Sequence, residues 1–335
     1  MSENLHIVGI PDRVGIMNSK ILGIHHITAM AGDAQRNVDF YVNMLGLRFV
    51  KKSINQDAPD VYHLYYGDEV GSPGTAMTFF PFGRAARGTR GNGEISHVAL
   101  AVPTASQDFW VNHLSKNGVN FDGPSKRFHD NVITFLDPDG MMIDLVFRDK
   151  QQLKFPWGKS LVPVEYAIRG FYGVTMNLAE LEPSSKVLKD VLGFRPALQS
   201  ENRFRFLIGE GSDEAAIDIV VDPKAPHARQ SAGSVHHIAW RVKDFPTHEE
   251  WQKAVAKSGL DPTEIIDRFY FHSIYFREPG GVLYEIATDN PGFTVDETVE
   301  ELGTHLMLPP WYEPHRAKIE QALPPITIPT QVVLL

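Results

Sequence analysis

The sequence predicts an α+β fold made of four copies of one βαβββ module, in which a strand and a helix precede three further strands. Four runs rich in Ile, Val and Thr begin at residues 23, 94, 170 and 234, and their alternating or apolar pattern is typical of strands. A segment of helical period follows the run. Turns rich in Pro and Gly then separate shorter strands, so each copy spans about 55 to 60 residues.

The first and third modules are related by an offset of 147 residues. This offset aligns Leu45-Gly46 with Leu192-Gly193, and it places His26 against Gly173. Glycine just after a helical segment is a typical C-cap, and we therefore expect each helix to end there and lead into the second strand.

The second and fourth modules match more closely, at an offset of 141 residues. The matched residues include Gly118 with Gly259, Arg127-Phe128 with Arg268-Phe269, Phe135 with Phe276, and Asp144 with Glu285. The turns FLDPDG and FREPGG stand at the same place, each between two strands. His97 and His237 differ by 140 residues, which indicates a one-residue slip in a loop. Several identities in one register indicate an internal repeat.

The four modules are expected to bury their cores as two pairs, because a single module leaves one face of its sheet uncovered. The Pro- and Gly-containing segment 151–165 is interpreted as a linker. It separates an N-terminal half (residues 21–150, modules one and two) from a C-terminal half (residues 166–290, modules three and four). Residues 1–20 are an N-terminal extension, and the Pro-rich residues 291–335 are expected to form a strap over the body, with one short helix.

The composition excludes several classes of protein. The chain of 335 residues contains no cysteine, which excludes a disulfide scaffold, a thiolate nucleophile and an iron–sulfur cluster. Its 32 Lys and Arg residues against 41 Asp and Glu residues give a net charge of −9, so we expect no nucleic-acid partner and no membrane partner. No apolar run reaches the ~20 residues of a membrane span and no signal peptide is recognisable, so we expect a cytoplasmic protein.

The repeat supplies two positions per module from which side chains could meet at one centre. Alternate residues of a strand share a face, so ligands on different strands converge only when they occupy equivalent positions. The positions on the first strands are held by His26, His97, Gly173 and His237, and those on the last strands by Thr78, Asp144, Asp218 and Glu285. Two imidazoles and one carboxylate form the facial triad of non-haem Fe(II) oxygenases, although Mn, Ni or Zn would accept the same ligands.

The identity of the metal site depends on which modules pair. Pairing the first module with the second gives His26, His97 and Asp144, whereas pairing it with the fourth gives His26, His237 and Glu285. Periodicity does not choose between them. The His-His doublets at 25–26 and 236–237 occur in the first and fourth modules alone, and they favour the second trio. Within each doublet, the two rings are expected on opposite faces of the strand.

The other candidate residues are expected to have structural rather than catalytic roles. His97 is expected to be a structural histidine, and Asp144 and Asp218 are expected to be hydrogen-bonded groups. The histidines in polar or loop contexts are expected at the surface: His63, His113, His129, His227, His248, His305 and His315. Four aromatic residues are candidate walls for a ring-shaped ligand, with core packing as the alternative: Phe79, Phe80, Phe82 and Trp240.

The motifs GIHHITAM, SVHHIAWRV and GGVLYEIATD, with the tail PPWYEPHRAKIEQALPP, resemble those of the vicinal oxygen chelate superfamily. Within that superfamily the chain is similar to the dioxygenases that open hydroquinones and chlorinated hydroquinones. The resemblance implies two domains with cupped mixed sheets and Fe(II) (Mn(II) or another divalent metal as isolated) held by His26, His237 and Glu285. It implies an aromatic diol and O2 as substrates. It also implies supporting catalytic roles for five further residues: His25, Thr28, His236, Arg268 and Tyr275.

Each supporting role has a physical interpretation and an alternative. His25 or His236 would serve as base and then acid if the imidazole titrates near neutral pH. Arg268 and Tyr275 would hydrogen-bond the substrate or stabilise a developing anion. Alternatively, Tyr275 belongs to the core, and Arg268 pairs at the surface with Asp267 or Glu264.

Three functions are compared. The first is an Fe(II)-dependent ring-cleaving dioxygenase of hydroquinone- or catechol-like diols. The second is a metal-dependent isomerase, lyase or glutathione-type transferase on the same fold, which usually has a fourth protein ligand where this chain has Thr78. The third is a non-catalytic protein that binds a small aromatic compound. A homodimer is the default expectation for such enzymes.

Overall fold

The computed structural model of the chain describes residues 6–7, 20–149, 155–209 and 215–329. Most of the expected N-terminal extension, the start of the expected linker and the end of the expected strap therefore lie outside the described residues. The described residues confirm an α+β architecture of four βαβββ modules.

The elements follow one another in the expected order. A two-residue strand β1 (His6–Ile7) precedes the modules. Module one contains β2 (Ile24–Ala31), α1 (Ala34–Asp39), a π-helical turn (Phe40–Met44), β3 (Arg48–Asn55), β4 (Ala58–Gly67) and β5 (Ala76–Pro81). Module two contains β6 (Glu94–Val102), a 3-10 turn (Thr104–Ser106), α2 (Gln107–Lys116), β7 (Phe121–Arg127), β8 (Asp130–Leu136) and β9 (Met142–Phe147).

The second half repeats this arrangement. Module three contains β10 (Phe171–Leu178), α3 (Glu182–Lys186), a π-helical turn (Val187–Val191), β11 (Arg195–Ser200), β12 (Arg203–Ile208) and β13 (Ala215–Val221). Module four contains β14 (Val235–Val242), α4 (Phe245–Lys257), β15 (Ile266–Asp267), β16 (His272–Arg277) and β17 (Leu283–Thr288). The tail contributes two 3-10 turns (Phe293–Val295 and Glu313–His315) and α5 (Arg316–Ala322).

Local signals explain where helices begin and end. Asp33 and Asp244 precede α1 and α4, and their side chains accept hydrogen bonds from the backbone amides of Arg36 and Thr247. The glycine expected to end the first helical segment, Gly46, has a φ of 71°, which costs a residue without a Cβ little. No helix among the described residues has both the length and the apolar character needed to cross a membrane.

The strands form two sheets, and each sheet takes one module from each half. The eight-stranded sheet has the order β15-β16-β17-β14-β2-β5-β4-β3, so module one pairs with module four; we call it the 1–4 cup. The nine-stranded sheet has the order β1-β11-β12-β13-β10-β6-β9-β8-β7 and joins modules two and three; we call it the 2–3 cup. The two central contacts, β14 with β2 and β10 with β6, are antiparallel.

Each central contact contains two register shifts, and the four shifts occupy equivalent places. In the 1–4 cup, Val235 and His237 lie opposite Ala29 and Thr28, so His236 is the extra residue. The other shift in this cup makes His25 the extra residue of β2. In the 2–3 cup, the extra residues are Ser96 and Tyr172. These β-bulges are therefore a property of the fold, and only the residue inserted at each one differs.

The described part of the tail contacts the 1–4 cup. Leu306 pairs with Lys52 of β3, and Tyr62 donates a hydrogen bond to the carbonyl of Pro324. Lys51 is fully buried, and its Nζ lies 2.6 Å from Asp296 and 2.5 Å from Glu297. These contacts cover the outer edge of the sheet and satisfy its polar groups.

Candidate metal centre

His26, His237 and Glu285 meet at the centre of the 1–4 cup. Strand register brings them together, because Ala239 lies opposite both His26 on β2 and Glu285 on β17. The Nε2 atoms of the two histidines are 3.3 Å apart. Oε2 of Glu285 lies 3.2 Å from Nε2 of His26 and 2.9 Å from Nε2 of His237. All three side chains are buried, and this is the trio that the His-His doublets favour.

The spacing and polarity of this trio fit a divalent metal ion. Three ligands at about 2.1 Å from an ion, at right angles to one another, are about 3.0 Å apart. Oε2 of Glu285 is buried and has no hydrogen-bond partner among the described residues, although two ring nitrogens lie nearby. Its other oxygen, Oε1, accepts a hydrogen bond of 2.5 Å from Ser273. Within the described part of the chain, no other group of three His, Cys, Asp or Glu residues has this spacing.

The electrostatics of the trio favour the forms that bind a metal. Burial by itself would raise the pKa of Glu285, but the adjacent imidazoles of His26 and His237 hold it well below its usual range. Burial also lowers the pKa of His237, although Glu285 opposes the shift. An ionised carboxylate beside a neutral imidazole is the protonation state that metal ligation requires.

The two doublets do not place their rings on opposite faces, and that expectation is wrong. Nδ1 of His25 lies 2.9 Å from Nδ1 of His26, and Nδ1 of His236 lies 2.8 Å from Nδ1 of His237. The reason is the bulge, since an extra residue interrupts the alternation of side chains. When Nδ1 of each ligand histidine donates to its neighbour, Nε2 keeps its lone pair for a metal.

His25 and His236 are neutral at neutral pH rather than titrating there. Burial, helped by the neighbouring imidazole in each doublet, lowers the pKa of both rings to about 3. These shifts do not favour titration near neutral pH, and the acid–base role of either ring stays a prediction. The geometry supports a different contribution, namely accepting the Nδ1 proton of the adjacent ligand and fixing its ring.

Arg268 and Tyr275 form a pair at the side of the trio. Nε of Arg268 lies 3.2 Å from the Tyr275 hydroxyl and donates to it, and the Tyr275 ring centre is 5.6 Å from that of His237. The guanidinium also pairs with Asp57 at 3.0 Å, and the suggested surface partners Asp267 and Glu264 are not its partners. Tyr275 is half-buried and lies beside the trio, so it does not belong to the main apolar core.

Thr78 occupies the fourth equivalent position of the 1–4 cup. The residues that surround it were not predicted from the sequence. The Thr78 hydroxyl is 2.8 Å from that of Thr28 and 2.9 Å from Nε2 of His63. The expectation that His63 lies at the surface is wrong, because alternation along β4 places it on the same face as Tyr65, which pairs with Thr78. That alternation in VYHLYYG was the available signal.

One of the four aromatic residues considered as walls of the site, Phe80, lies beside it. Phe80 packs beside His63 and His236, with ring centres 4.4 and 5.8 Å apart, and forms a wall of the site. Phe79 and Trp240 belong to the core, and Phe82 is 42% exposed. Phe271, whose ring centre lies 4.9 Å from that of His26, carries no signal in the sequence that would have singled it out.

Two further histidines were wrongly expected at the surface. His248 is fully buried, and its Nε2 lies 2.8 Å from the carbonyl of Ile286. His113 is half-buried, and its Nε2 lies 2.8 Å from the carbonyl of Met44. Both rings therefore connect a helix to a neighbouring element of the core.

The equivalent positions of the 2–3 cup hold ion pairs. Asp144 pairs with Arg127 and accepts a hydrogen bond from Thr134 at 2.5 Å. Asp218 pairs with Arg203 at 3.0 Å and Arg205 at 2.7 Å. The structural interpretation of Asp144 and Asp218 is confirmed, and the alternative trio of His26, His97 and Asp144 is wrong because modules one and two do not pair.

A cavity of about 920 Å³ lies at the end of the 1–4 cup where β2 begins. His25 and Phe271 both contribute to its wall. This volume is in the range of small-molecule sites. His25 and Phe271, which both contact the ligand His26, therefore border open space.

Comparison with known proteins adds a family and several relatives. The family model described as the glyoxalase/bleomycin resistance protein/dioxygenase superfamily matches residues 23–145 and 174–286. MhqA of Bacillus subtilis (strain 168), named as a ring-cleaving dioxygenase, is 40% identical over 92% of this chain and 99% of its own length. The chlorohydroquinone/hydroquinone 1,2-dioxygenase of Sphingobium indicum is 36% identical over 88% of this chain and 93% of its own length.

Solved structures show the same similarity. The crystal structure of a dioxygenase from Bacillus subtilis superposes with a TM-score of 0.87 at 39% identity, covering 93% of this chain and 99% of that chain. Glyoxalase I from Zea mays superposes with a TM-score of 0.61 at 15% identity, covering 84% of this chain and 97% of that chain. At that identity the maize enzyme shows a shared fold alone.

Proposed function

Because the chain belongs to the glyoxalase/bleomycin resistance protein/dioxygenase superfamily and, within it, to the ring-cleaving dioxygenases, we propose that it opens hydroquinone- or catechol-like diols with O2 at an Fe(II) site. The enzyme is an oxidoreductase. Both atoms of O2 enter the ring-opened product in such a reaction, so no separate reductant is needed. The homodimer and the cytoplasmic location stay predictions from the sequence.

The observation that carries this proposal is a trio of two imidazoles and one carboxylate with a hydroxyl, rather than a fourth ligand, beside it. His26, His237 and Glu285 have the residue types and spacing of a facial triad. Thr78 occupies the fourth equivalent position, and Thr28 and His63 are its hydrogen-bond partners. Three protein ligands leave room for two reactants at one ion, as ring cleavage requires.

The residues around the trio suit an aromatic diol. When bound, Fe(II) would lower the pKa of a phenolic hydroxyl and bring the diol and O2 together. Burial raises the pKa of Tyr275, so its hydroxyl keeps its proton and acts as a hydrogen-bond donor. Arg268 holds that hydroxyl from the other side and adds a fixed positive charge. Phe80 supplies an apolar surface for the ring.

The main competing function is a metal-dependent isomerase, lyase or transferase of the glyoxalase type. Such an enzyme would use the same fold but would be better served by a fourth protein ligand at the position of Thr78. The relatives that match over nearly the whole chain carry dioxygenase names, which also favours ring cleavage.

The proposal is tested by loading the purified protein with Fe(II) under anaerobic conditions and measuring O2 uptake. We expect one O2 consumed per molecule of methylhydroquinone or chlorohydroquinone, and metal analysis should find about one iron per chain. Catechol is included in the same series to define the diol class. A protein that holds stoichiometric zinc and consumes no O2 with any dihydroxybenzene would refute the proposal.

A further inference from the structure

Four side chains of the 1–4 cup form one continuous hydrogen-bonded chain, and two of them, Tyr65 and His63, have no role assigned above. The Tyr65 hydroxyl lies 2.6 Å from Nδ1 of His63, and Nε2 of His63 lies 2.9 Å from the Thr78 hydroxyl. The Thr78 hydroxyl lies 2.8 Å from the Thr28 hydroxyl. Tyr65, Thr78 and Thr28 are buried, so water does not compete for these bonds.

The chain ends beside the metal ligands. Thr28 lies directly opposite His237 in the antiparallel contact between β14 and β2. It also follows His26 by two residues on β2, and it therefore shares the face of that ligand. Thr28 is therefore adjacent to both histidine ligands in the paired strands.

The direction of the hydrogen bonds follows from counting donors and acceptors. Burial lowers the pKa of His63 well below its usual range, so the ring is neutral and has one N–H and one free nitrogen. Burial raises the pKa of Tyr65 well above its usual range, so the phenol keeps its proton. Among the described residues, His63 is the one hydrogen-bond partner of that phenol.

These constraints set the first two links. The buried phenol of Tyr65 satisfies its proton by donating to Nδ1 of His63. Nε2 of His63 then carries the ring proton and donates to Thr78. Either hydroxyl can be the donor in the bond between Thr78 and Thr28. When Thr78 donates, the Thr28 hydroxyl keeps one proton that no described residue accepts.

We propose that Tyr65 and His63 are positioning residues that orient Thr28 as a hydrogen-bond donor to an anionic oxygen of the diol bound at the trio. The proposal rests on the proposed function and deepens it, because it names the group that recognises the ionised hydroxyl. A donor fixed before the substrate binds costs no reorganisation during the reaction.

The 2–3 cup supports this inference by contrast. Arg205, Arg203, Asp218 and Thr175 occupy the positions of Tyr65, His63, Thr78 and Thr28 in the paired registers. There, Arg203 donates to Thr175 at 3.2 Å and to Asp218 at 3.0 Å. The neutral chain therefore occurs in the cup that has the metal trio, and charged groups replace it in the other cup.

The central experiment compares Tyr65→Phe with Tyr66→Phe. Tyr66 is the next residue of β4, and its buried hydroxyl donates to Asn37 at 2.8 Å, so it is a matched control for the loss of one buried hydroxyl. We expect Tyr65→Phe to lower kcat for a hydroquinone by about tenfold, the effect of ~1.4 kcal/mol, with unchanged iron content. Tyr66→Phe should leave kcat within about twofold.

A double-mutant cycle tests whether Tyr65 acts through Thr28. Thr28→Val should lower kcat at least as much as Tyr65→Phe, and adding Tyr65→Phe to it should cause no further loss. Thr28→Ser, which keeps the hydroxyl, should retain most of the activity. Equal effects of Tyr65→Phe and Tyr66→Phe, or losses that multiply in the double variant, would overturn the proposal.

A readout that needs no turnover separates this proposal from the proposed function. Nitrogen-15 NMR of the histidine rings should show His63 with its proton on Nε2, and Tyr65→Phe should disturb that preference while Tyr66→Phe does not. A proton on Nδ1 of His63 in the unsubstituted protein would reverse the chain and overturn the inference. Absence of O2 uptake by the unsubstituted enzyme, with the Nε2 proton observed, would instead refute the proposed function alone.

Discussion

The 1–4 cup and the 2–3 cup have the same strand order in their modules and the same two bulge positions in their central contacts, yet they bury different polar groups. In the 1–4 cup, His26, His237 and Glu285 leave a carboxylate oxygen without a hydrogen-bond partner. In the 2–3 cup, Gly173, His97 and Asp144 stand at those positions, and Asp144 is paired with Arg127. The buried carboxylate of Glu285 therefore has no cationic side chain as a partner among the described residues, whereas the buried carboxylates at the equivalent positions of the 2–3 cup are paired with arginines.

The residues inserted at the bulges also differ between the two cups. His236 in the 1–4 cup and Ser96 in the 2–3 cup each contact Nδ1 of the histidine that follows, at 2.8 and 2.9 Å. The 2–3 cup therefore retains one half of a ligand arrangement without the other. The fold therefore supplies equivalent positions in both cups, and the residues at those positions decide whether a cup can hold a metal.

The largest expected difference between the cups lies in metal binding. His237→Ala removes one of three ligands, so we expect loss of bound iron and of turnover by more than a thousandfold. His97→Ala, the equivalent change in the 2–3 cup, should retain both. Metal analysis and O2 uptake on the two variants check this. Activity that survives His237→Ala but is lost in His97→Ala would reverse the assignment of the cups.

The ion pairs of the 2–3 cup should control stability rather than activity. Arg127→Met leaves Asp144 buried without its cation, and we expect unfolding to become easier by about 3–5 kcal/mol. The double variant Arg127→Met/Asp144→Leu should recover most of this loss, because both charges are removed together. Denaturant unfolding measures both, with the iron content as a check on the other cup. A double variant no more stable than Arg127→Met would contradict this account.

The 2–3 cup has Gly173 at the position that His26 occupies in the 1–4 cup. A substitution of Gly173 tests why no second imidazole occurs there. A Cβ at Gly173 would lie 2.0 Å from the carbonyl oxygen of Ala216, whereas one at Gly158 would meet nothing within 4 Å. We expect Gly173→Ala to cost ~3 kcal/mol or more in the free energy of unfolding, and Gly158→Ala to be nearly neutral. Thermal unfolding of the two variants compares them. Equal stability would show that the backbone there has room for a side chain.

The smallest expected effect concerns acid stability. Burial lowers the pKa of His97 from its usual 6.5 to about 4, despite the opposing charge of Asp144. The unfolded chain therefore binds a proton at His97 below about pH 6.5 that the folded chain does not, so stability falls as the pH drops. The titration of His97 alone lowers the free energy of unfolding by up to ~2 kcal/mol between pH 7 and pH 5.

A matched pair of variants isolates that contribution. His97→Gln should make the loss of stability between pH 7 and pH 5 smaller than in the unsubstituted protein. His129→Gln, at an exposed histidine of the same module, should leave the pH dependence unchanged. Urea unfolding at the two pH values gives the comparison. An unchanged slope in His97→Gln would show that His97 is protonated equally in both states.

The repeat and the residue types at its equivalent positions follow from the amino-acid sequence alone. Strand periodicity and turn residues are local. The modules, the glycine after the first helical segment (Gly46) and the candidates His26, His237 and Glu285 could therefore be predicted directly from the sequence. The sequence match between modules two and four extends to a backbone feature that the structure adds. Phe128 and Phe269, matched at the offset of 141, both adopt the rare positive φ, at 55° and 73°.

The three-dimensional fold sets which modules share a sheet and on which face each histidine doublet places its rings. Pairing of module one with module four joins residues more than 200 positions apart, and no local pattern encodes that contact. The bulges that bring His25 and His236 beside the ligands arise from the register between β2 and β14, which neither strand sets alone. His63 joined the site for the same reason, because its face became meaningful only once β4 was paired with β5 inside the cup.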